Sequence, residues 1–294
     1  MSSIAFMGFG EAAKAFVSGW RSTETGSNGL PVRTFDIKVG SNIHTSQLTE
    51  DCRALDVECC MDPGEAMHGA NVVFSMVTAD RALEAAQSAA ASIAPNTLYL
   101  DCNSCSPRTK MAAADLLSEA GVIYVDVAVM APVHPGRHRT PLLLAGVGAP
   151  RAHAFLVGLG MNAKLAGDAV GQASSIKMLR SVMIKGFEAL TTECVLAARR
   201  AGVEEAVLAS LQASDPGIDW IARAAYNLER MEVHGERRAA EMVEVAATLR
   251  DLGLPDRMAA ATVDWQRQIG ELCLTSFEGS LVERIDRIME RLDT

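Results

Sequence analysis

The run Ile4–Met7 leads directly into Gly8-Phe9-Gly10-Glu11-Ala12-Ala13, and no other stretch constrains the chain as tightly. Four apolar residues before a G-x-G-x-x-A spacing read as a buried strand that turns sharply into a helix. Gly8 permits the tight turn, Gly10 lets the backbone approach a pyrophosphate, and Ala13 lets the helix lie close on the strand. Phe9, Glu11 and Ala12 complete the segment, whose helix start offers free N–H groups to phosphate. A second apolar run ends at Asp36, 26 residues after Gly10. A carboxylate there can accept hydrogen bonds from the ribose hydroxyls of NAD and repel the extra phosphate of NADP. Arg33 and Lys38 beside it leave NADP open.

At 294 residues the chain has length for two cores. Through about residue 165, β-type runs alternate with Ala-rich stretches: IAFM, VRTF, VVFSMV, TLYLD, VIYVDVAV and PLLLAG are the strand candidates. Such alternation predicts a parallel sheet with helices on both faces. After Gly171 apolar residues recur at helical spacing, with Ile176, Leu179, Met183, Phe187, Leu190 and Cys194 tracing a stripe expected to be buried. Further helices are expected at about 203 to 213, 218 to 231, 235 to 252, 256 to 269 and 279 to 292. The expected fold is an α/β Rossmann-type doubly wound domain over residues 1–166, followed by an all-α helical domain over 167–294 that serves substrate binding and dimerisation.

A net charge of -9 argues against nucleic acid and anionic membranes as partners. The first strand begins at residue 3, and no apolar stretch reaches the roughly 20 residues that span a bilayer, so a cytoplasmic protein is expected. Seven scattered cysteines do not form a secreted framework, and reduced thiols are the default. Cys102 and Cys105 form a C-x-x-C without a second pair at zinc spacing, so no metal is expected.

Three further segments, with the glycine turn, resemble the β-hydroxyacid dehydrogenase family, which includes 3-hydroxyisobutyrate and 6-phosphogluconate dehydrogenases. MVTAD (Met76 to Asp80) is similar to the segment beside the nicotinamide, which implies cofactor contacts from Val77 and Thr78. DCNSCSP (Asp101 to Pro107) is similar to the D-x-S-T-x-S-P substrate loop, which implies roles for Asn103 and Ser104; Ser106 before Pro107 also reads as a helix N-cap. GQASSIK (Gly171 to Lys177) is similar to the helix start that carries the catalytic lysine.

Oxidation of an alcohol requires a base to withdraw the hydroxyl proton, and a lysine does so only with a lowered pKa, which burial and nearby positive charge supply. Lys177 is expected in the first turn of its helix, where the positive dipole end favours the neutral amine. Ser181 and Glu188 share its face at about 100° per residue. Lys185, over two turns along, is expected to matter far less.

The chain departs from the family at several positions. Many relatives carry Asn where Ser181 stands, and Ile184 replaces the second acid of the decarboxylating sugar-phosphate enzymes. Met130, Ala131 and Pro132 replace a glycine-rich S-G-G segment, leaving His134, Arg137, His138 and Arg139 as candidates to grip a substrate carboxylate, or as a solvated basic loop. In HGERRAAEM, where relatives place another lysine, Arg238 is the candidate substitute.

The resemblance implies an NAD-dependent oxidoreductase that interconverts a small carboxylate-bearing 3-hydroxy acid and its oxo acid, as a homodimer through the helical half. Imine reduction and a non-catalytic dinucleotide-sensing or scaffold role are the alternatives.

Overall fold

The computed structural model describes residues 3–22, 29–40, 45–274 and 277–293. The chain divides into two compact units, Met1–Lys177 and Met178–Thr294. The division falls later than the boundary expected at 166/167, and the first turn of the long helix is tied into the sheet.

In chain order the first unit runs β1 (Ile4–Met7), α1 (Glu11–Arg21), β2 (Val32–Phe35), α2 (Thr45–Ala54), β3 (Glu58–Cys59), α3 (Pro63–Met67), β4 (Val72–Ser75), α4 (Ala82–Ala90), β5 (Leu98–Asp101), α5 (Pro107–Glu119), β6 (Ile123–Val129), β7 (Leu142–Ala145), α6 (Ala149–Gly158) and β8 (Ala163–Gly167). The strands form one sheet in the order β3-β2-β1-β4-β5-β6-β7-β8. Strand order reverses between β1 and β4, where an open α/β sheet leaves a crevice for ligands at the carboxyl ends. The register there is level. Met7 lies opposite Phe35 and Ser75, Ser75 opposite Asp101, and Asp101 opposite Asp126.

Alternation along each strand divides the core between two faces. Phe6 stacks on Phe74 with ring centroids 5.0 Å apart, and Phe16 and Trp20 of α1 close over them. Ala5, Met7, Val73 and Tyr99 face the opposite layer, where Ala85, Ala86 and Ala89 of α4 allow close helix packing. Each buried Phe or Trp stabilises the unit by roughly 1.5–3 kcal/mol.

Two strands were not anticipated, β3 and β8, and β7 runs antiparallel to β6 in an otherwise parallel sheet. β3 is two residues long, and β8 has the half-exposed pattern of an edge, so neither carries the apolar run that marks a buried strand. The direction of β7 follows from the connection over residues 130–141, which returns beside β6 without a crossover helix.

Helix α7 (Gln172–Arg200) begins in the first unit and continues through the second, which adds α8 (Glu204–Ser214), α9 (Trp220–Asp251), α10 (Arg257–Glu271) and α11 (Leu281–Leu292). Where two helices were expected over 218–252, α9 is continuous. Gly235 marks a packing site and not a break: a Cβ there would stand 2.4 Å from the Gln266 carbonyl oxygen and 2.7 Å from the Gly270 Cα, so the backbones of α9 and α10 touch. Ile285 and Ile288 of α11 pack with Leu228 and Met231, and Ser280 and Glu283 form a reciprocal cap at the start of α11.

The expected buried stripe of α7 is not buried: Phe187 and Cys194 are half-buried and the other four residues are exposed. Ile176, Leu179, Met183 and Leu190 are exposed, Met183 to 71%, while Ser181, Lys185 and Glu188 are buried, Glu188 to 2% exposure. Periodicity identifies an apolar face but not the surface that covers it. Among the described residues no helix is long and apolar enough to cross a membrane.

Candidate active site

The glycine turn is built for close backbone approach. Gly8 has φ +88°, and a Cβ on it would lie 2.5 Å from the Met76 carbonyl oxygen, so no other residue fits between the ends of β1 and β4. A Cβ on Gly10 would meet nothing within 4 Å, which leaves its backbone open to a ligand. Gly10 also caps α1 without a side-chain hydrogen bond, while Glu11 is exposed, Ala12 half-buried and Ala13 fully buried. The helix start therefore keeps backbone donors for an anion, and these residues fit the pyrophosphate of a dinucleotide.

Asp36 is buried at the end of β2, where its Oδ2 accepts the Phe9 N–H at 2.8 Å and its Oδ1 accepts the Lys38 N–H at 3.0 Å. The Phe9 N–H is thus spent on orienting the carboxylate, and its ring is buried edge-on against Phe6. Arg33 is occupied as well, donating to the carbonyl oxygens of Glu65 at 3.1 Å and His68 at 2.5 Å.

Asn103 joins the ends of β4 and β5. Its Oδ1 accepts the Val77 N–H at 2.7 Å, its Nδ2 donates to Ser75 Oγ at 2.9 Å, and its own N–H donates to Asp101 Oδ1 at 3.0 Å. Asn103 therefore holds the Val77 backbone in place and is buried rather than presented outward. Thr78 is exposed just beyond it, at the start of a short 3-10 turn. Ser106 caps α5 as expected, accepting the Thr109 N–H at 3.3 Å ahead of Pro107.

Ser104, next along this loop, meets the lysine. Lys177 Nζ donates to Ser104 Oγ at 2.5 Å, joining two residues 73 apart in the chain, and both are partly buried. Lys177 is the sixth residue of α7, in its second turn rather than its first, so the helix end acts on it less than expected.

A buried ionic cluster that the sequence did not reveal lies beneath this pair. Lys110 of α5 is fully buried; its Nζ donates to the Asp101 carbonyl oxygen at 2.5 Å and to Asp101 Oδ1 at 2.9 Å, and stands 3.7 Å from Asp126 Oδ1. Tyr124 donates to Asp101 Oδ2 at 2.6 Å. Asp126 Oδ2 accepts the N–H groups of Gly171 and Ser174 and the Ser174 hydroxyl, at 3.1, 2.9 and 2.9 Å, and so caps the start of α7 from the sheet. Burial works against the Lys110 ammonium, but the facing carboxylates outweigh it and raise its pKa. Burial pushes the Cys102 thiol up to about 12, which leaves it an unreactive protonated side chain beside the loop.

The remaining candidates have other partners. Ser181, in the second unit, accepts from Lys185 Nζ at 3.2 Å. Lys185, expected to matter far less than Lys177, is buried and paired with Glu241 at 2.9 Å. Arg238 pairs with Glu188 at 3.2 Å, and Gln266 donates to the same carboxylate oxygen at 2.9 Å. Burial raises the Glu188 pKa and lowers that of Arg238, each opposed by its partner. His134, Arg137 and Arg139 are exposed, whereas His138 packs into the core against Gly19 of α1.

Comparison with known proteins accords with this arrangement. Residues 4–152 match the family described as the NAD binding domain of 6-phosphogluconate dehydrogenase, and residues 198–269 match a domain of unknown function, DUF1932. An NAD-dependent L-serine dehydrogenase from Pseudomonas aeruginosa is 25% identical over 94% of this chain and 91% of its own. The crystal structure of a conserved hypothetical protein from Sinorhizobium meliloti 1021 is 35% identical, with a TM-score of 0.77 over 98% of this chain and 97% of that one. The 3-hydroxyisobutyrate dehydrogenase of Mycobacterium tuberculosis, solved with L-serine, is 15% identical and shares the fold, with a TM-score of 0.72 over 98% and 99% of the two chains.

Proposed function

The chain belongs to the family of the NAD binding domain of 6-phosphogluconate dehydrogenase, as a divergent branch of the β-hydroxyacid dehydrogenases, and on that premise we propose that it interconverts a small 3-hydroxy acid and its oxo acid with Lys177 as general acid and base. The observation that carries this reading is the 2.5 Å hydrogen bond between Lys177 Nζ and Ser104 Oγ, in the same unit as the glycine turn. A bound nicotinamide dinucleotide would supply the hydride acceptor or donor.

The chain's own residues do the rest. Gly8 shapes the turn, Gly10 and the start of α1 bind phosphate, and Asp36 accepts from ribose hydroxyls. During oxidation the Lys177 amine takes the substrate hydroxyl proton, and during reduction the ammonium returns a proton to the oxo oxygen. Ser104 fixes the direction of the Lys177 amine. Ile184 is apolar and donates no proton, which disfavours a decarboxylating reaction. The retained Lys177 favours an alcohol over an imine, and the L-serine dehydrogenase among the relatives supports a small 3-hydroxy acid.

NAD is the proposed cofactor, because Asp36 is fixed at the strand end and Arg33 is spent on backbone carbonyls. A homodimer is proposed through α7, whose solvent-facing Leu179, Met183 and Leu190 form an apolar stripe suited to a second copy.

The test is Lys177→Ala assayed on L-serine, 3-hydroxyisobutyrate and related 3-hydroxy acids. Turnover should fall roughly a hundredfold to ten-thousandfold, with NADH binding within threefold of the unmodified protein. Lys164→Ala, at an exposed strand position, is the control. Near-normal turnover by Lys177→Ala would return the dinucleotide-sensing role to the front.

A further inference from the structure

We infer that Lys110 is a positioning residue for this reaction, acting through Asp101 and Asp126 to set the Ser104–Lys177 pair; the inference rests on the reading of Lys177 as the acid and base. The two aspartates lie opposite each other on neighbouring strands, β5 and β6, and both are fully buried. Neighbouring strands lie only about 5 Å apart, so two carboxylates held there without a cation would repel strongly in a medium that screens little. Lys110 supplies that cation, bound to Asp101 at 2.9 Å and standing 3.7 Å from Asp126.

Each aspartate also holds one partner of the reactive pair. Asp101 ends β5, anchors the Asn103 N–H, and thereby fixes the loop that presents Ser104 one residue later. Asp126 takes three hydrogen bonds from Gly171 and Ser174, one turn before Lys177. Ser104 and Lys177 come from segments far apart in sequence, yet both are referenced to the same ammonium. Lys110 reaches no substrate in this scheme. It fixes the separation of the two groups and the charge beneath them, and with the cluster at a net charge of one negative it limits how strongly the Lys177 ammonium is favoured.

Competitive labelling of lysine amines with acetic anhydride, read by mass spectrometry on the full chain, tests this without requiring turnover. In folded Lys110→Met, the two unneutralised carboxylates should favour the ammonium of Lys177, so it should label at least threefold more slowly at pH 8 while Lys164 is unchanged. Adding Asp126→Asn restores the cluster charge and keeps an acceptor for α7; labelling should return to within twofold of the unmodified protein. In the same preparations, kcat for L-serine with NAD should fall at least tenfold in Lys110→Met, with KM for NAD within threefold.

A residue that merely fills space would leave Lys177 labelling unchanged in folded Lys110→Met, and that result overturns the inference. If Lys110→Met does not fold, Ser174→Ala loosens the same tether: Lys177 labelling must then depart at least twofold, and an unchanged rate is equally fatal. Persistent turnover by Lys177→Ala would instead sink the acid and base assignment, so the two failures are told apart.

Discussion

Ser174 donates to a single oxygen of Asp126 twice, from its N–H and from its hydroxyl, each at 2.9 Å. A strand carboxylate thus caps a helix 48 residues further along, and the helix start is fixed to the sheet. The stability of this joint depends on which charge is removed. Lys110→Met leaves two buried carboxylates uncompensated and should cost about 3–5 kcal/mol. Asp126→Asn leaves the Lys110–Asp101 pair intact with an acceptor for α7, and should cost about 1–2 kcal/mol. Urea unfolding of both variants checks the order, and a larger loss in Asp126→Asn would show that capping outweighs charge.

Ser104→Ala removes the hydroxyl that accepts from Lys177 Nζ while leaving the Asn103 bridge in place. Hydrogen bonds to charged groups are worth about 1.5–3 kcal/mol, so kcat should fall roughly tenfold to a hundredfold with KM for NAD little changed. Steady-state kinetics with L-serine measures the split; a rise in KM for NAD alone would place Ser104 on the cofactor.

Asp36 holds the Phe9 N–H and is the proposed ribose partner, and one substitution separates the two. Asp36→Asn keeps an oxygen for the Phe9 N–H but loses the charge that opposes a ribose phosphate. The ratio of kcat/KM for NADP over NAD should rise at least tenfold, about 1.4 kcal/mol, with the fold intact by circular dichroism. An unchanged ratio would assign cofactor choice to other residues.

The sequence disclosed the segments whose shape depends on local spacing. Gly8, Gly10 and Ala13 announce a strand, turn and helix within ten residues, and Lys177 sits in a short recognisable segment. Lys110 was invisible because its partners come from two strands and its own helix reads as an ordinary Ala-rich one. Asp101 looks like a strand-end acid and Asp126 like an isolated acid within an apolar run until the register places them side by side. The surroundings of Lys185 were hidden for a related reason: its partner, Glu241, lies on another helix. The break expected between 231 and 235 does not occur, since sequence alone does not show the glycine of α10 that Gly235 meets.

The exposed stripe on α7 should set the oligomeric state. Met183→Glu with Leu190→Glu places charges on the apolar face, and size exclusion with light scattering should show a dimer become a monomer whose secondary structure is unchanged. A monomer before substitution, across micromolar to near-millimolar protein, would end the dimer proposal.

His138 gives the fold an acid-sensitive point. Burial, with the charges of Arg139 and Arg137, holds its pKa below the usual histidine range. The neutral ring is favoured in the folded state, so its contribution is complete above about pH 6.5 and is lost as pH falls through the lowered value. His138→Gln should narrow the fall in Tm between pH 7.5 and 5.0 by roughly 2–4 °C. Equal falls in both proteins would assign acid sensitivity to the carboxylates alone.

The triad of Asp101, Lys110 and Asp126 also restricts the routes by which a descendant sequence could change. Losing the lysine first traps two like charges side by side, whereas converting one aspartate to an amide first leaves a neutral ion pair and an intact chain fold. Replacement of Lys110 is therefore a second step, open only to lineages that have already given up one of the acids. Ancestral reconstructions along this branch would be expected to pass through an amide intermediate.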